Sequence, residues 1–317
     1  MEITETNPFI DKFIKIKPTL EGKNHFVQEI LNNYLSYPGK QVRPILCKLI
    51  GGMFQLPQNQ IELIARAAEM IHNASLIHDD VIDEAVLRRQ RETLNFKYTN
   101  SQAVLSGDFL LARVIKELVT AKQYDILNSL SSTLEDLVEG EIFQDQLKNK
   151  TDIQKIDLIY VAKKKTGSLM GWTFSAPLEI QNLDRESIEL ANTIGVNLGL
   201  VFQMIDDNLD FLPNTGKVYS KDLTEGLINF TLVNLIELYP ETYFPIHQAR
   251  GQNLKIYPWT DSQIDEAIKK SKKDAQFILE KINKDLDKLK EGQFNKIDED
   301  HFQHLKLYIH HLQERNL

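Results

Sequence analysis

The stretch QIELIARAAEMIHNASLIHDD, residues 60–80, repeats small or apolar residues in steps of three, four or seven: Ile61, Ile64, Ala65, Ala68, Ile71, Ser75 and, just beyond, Ile82. That period lays one apolar face along an α-helix and is incompatible with the alternation of a half-buried strand. Similar spacing recurs along the 317 residues, and the 14 glycines and 10 prolines fall mostly between the periodic segments. The expected fold class is all-α, with about ten helices separated at Pro38-Gly39, Gly51-Gly52, Pro57, Asn100-Ser101, 149–152, 213–216 and Pro240. No Ser- or Pro-rich linker and no solenoid repeat divides the chain, so residues 1–317 are expected to form a single large helical domain.

Composition excludes several classes. A hydrophobic share of 42% is enough for a sizeable core, and a net charge of -8 opposes binding to nucleic-acid phosphates. The lone Cys47 can form neither an intrachain disulfide nor a cysteine zinc site, which points to a reducing cytoplasm. The start MEITETNPFIDKF lacks the basic and apolar parts of a signal peptide. The uncharged run from Leu190 to Ile205 is shorter than a bilayer and interrupted by Asn192 and Asn197, so no transmembrane segment is expected. Residues 262–299 mix both charge signs, as a solvated helix face does.

Chemistry concentrates in two acidic clusters. Asp79 and Asp83, with Asp80 beside them, stand four residues apart, and Asp206 and Asp210, with Asp207, repeat the pattern. On a helix such residues share a face, where like charges repel unless a cation offsets them. Oxygen-only donors suit Mg²⁺, which typically takes one or two carboxylates plus phosphate oxygens, and neither cluster has the His and Cys spacing of zinc. Phosphate in turn calls for basic partners. Candidates are Lys40 and Arg43 in PGKQVRP, Arg88 and Arg89 after the first cluster, Lys165 and Thr166 in KKKTGS, and Lys217 and Lys221 in TGKVYSKD. Together they suit more than one diphosphate.

In order, GKQVRP, LIHDDVID with LRR, SGDFLLAR, VEGEIFQ, KKKTGSL, FQMIDDNLDF and GKVYSKDLTEG resemble the trans-polyprenyl diphosphate synthases, the head-to-tail prenyltransferases, from about Pro38 to Asn229. The resemblance implies an all-α bundle around a deep central cavity, with the two aspartate motifs facing each other across its mouth. It implies direct Mg²⁺ ligation by Asp79, Asp83 and Asp206, with Asp80, Asp207 and Asp210 completing clusters for about two to three ions. An allylic diphosphate would be held through that Mg²⁺ and by Arg88, Lys165, Thr166, Gln203 and Lys217, with Lys221 nearby. Isopentenyl diphosphate would be held by Gly39, Lys40, Arg43, His72 and Arg89. Ionisation of the allylic diphosphate at the charged mouth, followed by attack of the isopentenyl double bond, would pass the growing tail into an apolar shaft that excludes water.

Product length follows from what blocks that shaft, since an isoprene unit matches a helical turn of roughly 5 Å. Before Asp79 the chain carries Ala74 and Ser75, both small, with Ile71 deeper. The expected product is a medium or long polyprenyl diphosphate, hexaprenyl to octaprenyl. Gln90 replaces a usual glycine, Leu227 a frequent lysine of short-chain members, and residues 240–260 do not match the family's usual helix pair. Competing readings are a farnesyl or geranylgeranyl diphosphate synthase, a terpene cyclase of the same fold, a non-catalytic subunit of a hetero-oligomeric synthase, and a helical scaffold without ligand. A homodimer, in loose association with a membrane at most, is also implied.

Overall fold

The computed structural model describes Leu31 and residues 39–88, 91–148, 150–212, 219–252, 254, 256–292 and 297–314. Its contacts group into two units, Met1–Leu130 with Ala176–Leu183 and Lys296–Phe302, and Ser131–Ser175 with Asp184–Asn295 and Gln303–Leu317.

In the first unit, α1 (Val42–Met53) and α4 (Asn100–Thr120) pack against α2 (Gln58–Ile82). Between α2 and α4 lie a hairpin of β1 (Leu87–Arg88) and β2 (Arg91–Glu92), pairing Leu87 with Glu92, and the short α3 (Leu94–Lys97). The periodic face of α2 forms core as expected: Ile61, Ile64, Ala65, Ala68 and Ile71 are buried. Ile82 departs from that expectation and is exposed, because α2 ends there and its last turn emerges from the core. Gly51-Gly52 is not a break either, since α1 runs through both. They are glycines for closeness: a Cβ on Gly51 would lie 2.7 Å from the Ile61 side chain, and one on Gly52 would meet the His301 ring at 2.2 Å. Helix α4 is capped by Thr99, whose hydroxyl accepts the Gln102 N–H at 3.1 Å.

After α5 (Tyr124–Leu147) come α6 (Lys155–Val161), a π-helical turn at Ala162–Gly167, and α7 (Ser168–Ile180). Helix α8 (Arg185–Leu209) is the centre of the second unit, packing on the π-helical turn and on α12 (Asp261–Glu291). Between them run α9 (Lys221–Thr224), α10 (Phe230–Leu238), a 3₁₀ turn at Pro240–Thr242 and α11 (Tyr243–Ala249), and α13 (Glu299–Glu314) closes the chain order. The described residues thus hold thirteen α-helices rather than about ten, because α3, α9 and α11 are too short to show a period. By length and composition α8 is apolar enough to cross a membrane, but most of its apolar window is buried against its neighbours in the unit. The charge-rich 262–299 run is only half a solvated face. On α12, Ile264, Ile268, Ser271, Ala275, Leu279, Ile282, Leu286 and Leu289 form a buried stripe in steps of three and four.

Residues 240–260, without a counterpart in the expected pattern, have a structural role at one end. Arg250 donates from Nη1 to the Lys150 carbonyl at 2.6 Å, from Nη2 to those of Leu147 and Lys148 at 2.6 and 2.7 Å, and from Nε to that of Gly226 at 3.0 Å. Tyr243 adds a bond from its hydroxyl to the Thr151 carbonyl at 2.6 Å. One guanidinium therefore satisfies carbonyls left over where α5 stops. Since bonds to a charged donor contribute about 1.5–3 kcal/mol each and are not additive, Arg250→Ala is expected to lower stability by about 2–4 kcal/mol, read as an earlier midpoint in urea unfolding.

Candidate active site

The first acidic motif occupies the last turn of α2 and the cap that follows. The Asp83 N–H bonds to the Asp79 carbonyl at 2.8 Å, the Glu84 N–H to Val81 at 3.3 Å and the Ala85 N–H to Asp80 at 2.9 Å. This is a Schellman motif with Glu84, not glycine, in the left-handed region at φ 50°. The chain turns away and fixes Asp83 at the helix end, exposed, while Asp79 is half-buried one turn back. Asp80 points elsewhere: it is buried, and its Oδ1 accepts from Arg88 Nε at 2.7 Å. Thr93 and Asn95 bind the Ala85 carbonyl at 2.5 and 3.1 Å, which ties the hairpin bearing Arg88 to the end of α2.

The SGDFLLAR element contributes by closeness. A Cβ on Gly107 would come within 2.2 Å of His78 Nε2, and that nitrogen sits 3.1 Å from the Val104 carbonyl and 3.5 Å from Asp108. The residue preceding the first motif is thus seated in a notch of α4.

The basic residues of the GKQVRP element gather at the start of α1. Gln41 adopts φ 47° and ψ 40° immediately before the helix, Lys40 is exposed and Gly39 half-exposed. The Nε of Arg43 is buried without a hydrogen-bond partner, and burial holds its guanidinium below the ordinary arginine range, opposed by Glu69 on α2. A buried, unanswered guanidinium N–H suits an anion. On α2, His72 is half-buried, Ile71 and Ala74 are fully buried, and the half-exposed Ser75 donates to the His72 carbonyl at 2.9 Å.

In the second unit the lysines of KKKTGS lie on the π-helical turn, where the extra residue per turn marks local strain often kept at functional positions. Glycines let the turn dock. A Cβ on Gly140 of α5 would sit 2.7 Å from the Lys165 nitrogen, and one on Gly199 of α8 would sit 2.6 Å from the Gly167 Cα. One turn earlier on α8, a Cβ on Gly195 would sit 2.7 Å from the Gly171 Cα. The result is a connected row: Thr166 Oγ1–H donates to Gln203 Oε1 at 3.1 Å, Gln203 Nε2 donates to Asp207 Oδ1 at 2.8 Å, and Asp207 Oδ2 accepts the Phe230 N–H at 2.9 Å. Lys165 forms an ion pair with Glu141 of the VEGEIFQ element.

Asp206 is half-buried on the same helix, and Asp210 is buried, its Oδ2 accepting the Asp222 N–H at 2.9 Å. Burial pushes the Asp207 carboxyl well above the usual carboxylate range, with Asp222 and Asp206 adding like charge. Lys221 pairs with Glu225 at 3.0 Å on an exposed short helix. Arg89 and Lys217 lie outside the described residues.

The donor chemistry fits Mg²⁺. Each motif supplies oxygen-only carboxylates at i and i+4, the donor type that Mg²⁺ takes. Among the described residues no three His, Cys, Asp or Glu side chains are gathered into a metal-binding group.

Residues 24–255 match the family described as polyprenyl synthetase. The chain belongs to the polyprenyl synthetase family. It is 35% identical over 229 residues to the decaprenyl-diphosphate synthase of Dictyostelium discoideum, a match covering 71% of this chain and 50% of that one. To a prenyl transferase of Synechocystis it is 36% identical over 208 residues, covering 64% of each. The aligned part therefore spans about half to two-thirds of these relatives' length. Among solved structures, the heptaprenyl diphosphate synthase of Staphylococcus aureus matches with a TM-score of 0.82 and 25% identity over 95% of both chains. The all-α expectation is borne out. What the sequence did not disclose in this family member is Glu141 as partner of Lys165, and the Asp222 N–H on Asp210. The glycine pairs Gly167/Gly171 and Gly195/Gly199, each spaced by four, were a usable signal of close helix approach.

Proposed function

We propose that the chain is a Mg²⁺-dependent prenyltransferase that joins isopentenyl diphosphate to an allylic prenyl diphosphate. The observation that carries this reading is the row Thr166–Gln203–Asp207, which sets the lysine-bearing turn beside the second acidic motif in a member of the polyprenyl synthetase family. Asp79 and Asp83 in the first motif and Asp206 in the second would each hold metal, and within the second motif Asp210 is oriented by the Asp222 N–H. When bound, Mg²⁺ supplies Lewis-acid stabilisation of the charge that develops on the departing diphosphate. Lys165 and Arg88 would each offer positive charge to diphosphate while the allylic C–O bond breaks and the isopentenyl double bond forms the new C–C bond. Both cations are paired with carboxylates, Lys165 with Glu141 and Arg88 with Asp80, which keeps them in place. Arg43 and Lys40 would hold the isopentenyl diphosphate, and the proton released on forming the product leaves with inorganic diphosphate.

We extend the reading to a hexaprenyl-to-octaprenyl product, a range that includes the product of the relative named for hexaprenyl, while those named for solanesyl and decaprenyl support a long chain in general. The small Ala74 and Ser75 before Asp79 support it. Replacing both by Phe is expected to shorten the product by one or more isoprene units, about one helical turn each, on chromatography of the extracted prenyl chains. An unchanged length would place the floor elsewhere. A homodimer is supported by the unpartnered apolar side chains of α4, with Val104, Leu105, Ile115 and Val119 exposed. A cytoplasmic site rests on the single buried cysteine. The transferase reading is tested by inorganic diphosphate release from the folded chain given Mg²⁺, isopentenyl diphosphate and farnesyl diphosphate. Release abolished by chelator is expected, and silence from the folded chain would contradict the transferase reading.

A further inference from the structure

The far end of the unaccounted segment, residues 257–259, grips the chain where it returns from the second acidic motif. Phe211 directly follows Asp210, and its ring lies edge-on to Tyr219 at 5.8 Å and to Trp259 at 5.9 Å. Tyr257 packs on Tyr219 at 4.7 Å and on Trp259 at 5.1 Å. Tyr219 is also held by its polar atoms: its hydroxyl accepts from Trp259 Nε1 at 3.2 Å, and its carbonyl accepts from the Tyr257 hydroxyl at 3.4 Å. Aromatic pairs of this kind add about 0.5–1.5 kcal/mol each beyond burial, so Tyr219 is fixed from three sides.

The residues that follow Tyr219 act on Asp210. Ser220 adopts φ 56° and ψ 41°, a left-handed backbone that a non-glycine residue holds only when its surroundings impose it. In that conformation the Ser220 N–H reaches the Asp210 carbonyl at 2.9 Å and the Asp222 N–H reaches Asp210 Oδ2 at 2.9 Å. Asn229 Nδ2 in turn holds Asp222 Oδ2 at 2.9 Å. Trp259 directly precedes Thr260, which caps α12 with a capping box, and α12 packs along α8, the helix that carries the acidic motif. The clamp is therefore anchored on the same rigid pair of helices as the carboxylates it orients.

We propose that Trp259 and Tyr257 are positioning residues for the second acidic motif, fixing the Asp210 carboxylate through Tyr219, Ser220 and the Asp222 N–H so that the motif binds a divalent cation. The proposal rests on the metal-dependent reading above. It gives residues 257–259, which depart from the family's usual pattern, a direct part in metal affinity and none in touching substrate.

The test is Mn²⁺ titration of the full chain, followed by electron paramagnetic resonance of free Mn²⁺ with inorganic pyrophosphate present. An Asp79→Asn, Asp83→Asn background confines the signal to the second motif. Partners that orient metal ligands typically contribute 10–100-fold in affinity, so Trp259→Leu is expected to weaken Mn²⁺ binding about tenfold, and Trp259→Phe, which keeps a ring, by no more than about threefold. Tyr257 is half-buried, so Tyr257→Ala tolerates truncation and is expected to weaken binding by at least about threefold should Trp259→Leu fail to fold. Full affinity in folded Tyr257→Ala and Trp259→Leu would overturn the positioning role alone. Mn²⁺ binding that is absent in the background, or unaffected there by Asp206→Asn, would overturn the metal site and the positioning role with it.

Discussion

Asp206→Asn is expected to lower kcat/KM for prenyl transfer on the order of 10²–10³-fold, the loss typical of removing one preorganised electrostatic contact to a transition state, with thermal unfolding shifted by only about a few degrees. The reasoning is local. Asp206 is half-buried and stands one helical turn from Asp210, so the amide keeps the volume and removes the charge that would hold the cation. Asp79→Asn should behave alike in the first motif. Asp80→Asn should not, because its carboxylate is buried against Arg88 Nε at 2.7 Å. Loss of that charge leaves a guanidinium without its partner, so stability falls along with activity. Steady-state kinetics together with thermal melts of the three variants would distinguish these patterns, and equal melting losses in all three would contradict the assignment.

Gly195→Ala is expected to be the most damaging glycine-to-alanine change among the described residues. Its Cβ would lie 2.5 Å from the Met170 carbonyl oxygen and 2.7 Å from the Gly171 Cα, both backbone atoms that no rotamer change can move. Overpacking of this kind typically costs about 1–3 kcal/mol and occasionally more, and here the strain can be relieved only by separating α7 from α8. That movement would also draw Thr166 away from Gln203 and Lys165 from its place beside the second motif. The expected outcome is a melting temperature lower by about 2–5 °C and a raised KM for the allylic diphosphate. A substitution at Gly226, whose Cβ meets nothing within 4 Å but whose φ is +84°, provides the contrast: backbone strain without a clash, and an intact allylic site.

Much of this was legible in the sequence for a physical reason. The helical period of α2 and the i, i+4 carboxylates are local patterns, and local patterns survive in one dimension. Contacts made by backbone groups do not. Nothing in the string shows that Arg250 reaches carbonyls some hundred residues earlier, that the Asp222 N–H binds Asp210, or that Asp80 turns to Arg88 instead of sharing the face of Asp79 and Asp83. Gly51 and Gly52 misled for a related cause: glycine reads as a break, yet these two serve close packing inside a continuous helix. The π-helical turn escaped because no residue preference announces it, although the glycines that accommodate it were in view.

The most direct measurement is the size of the prenyl chain made by the purified protein alone from isopentenyl diphosphate and farnesyl diphosphate with Mg²⁺. The expected result is a ladder ending between hexaprenyl and octaprenyl diphosphate, lost with chelator and lost in Asp206→Asn. A product that stops at geranylgeranyl diphosphate would contradict the open floor at Ala74 and Ser75, and no elongation by the folded protein would contradict the proposed reaction itself.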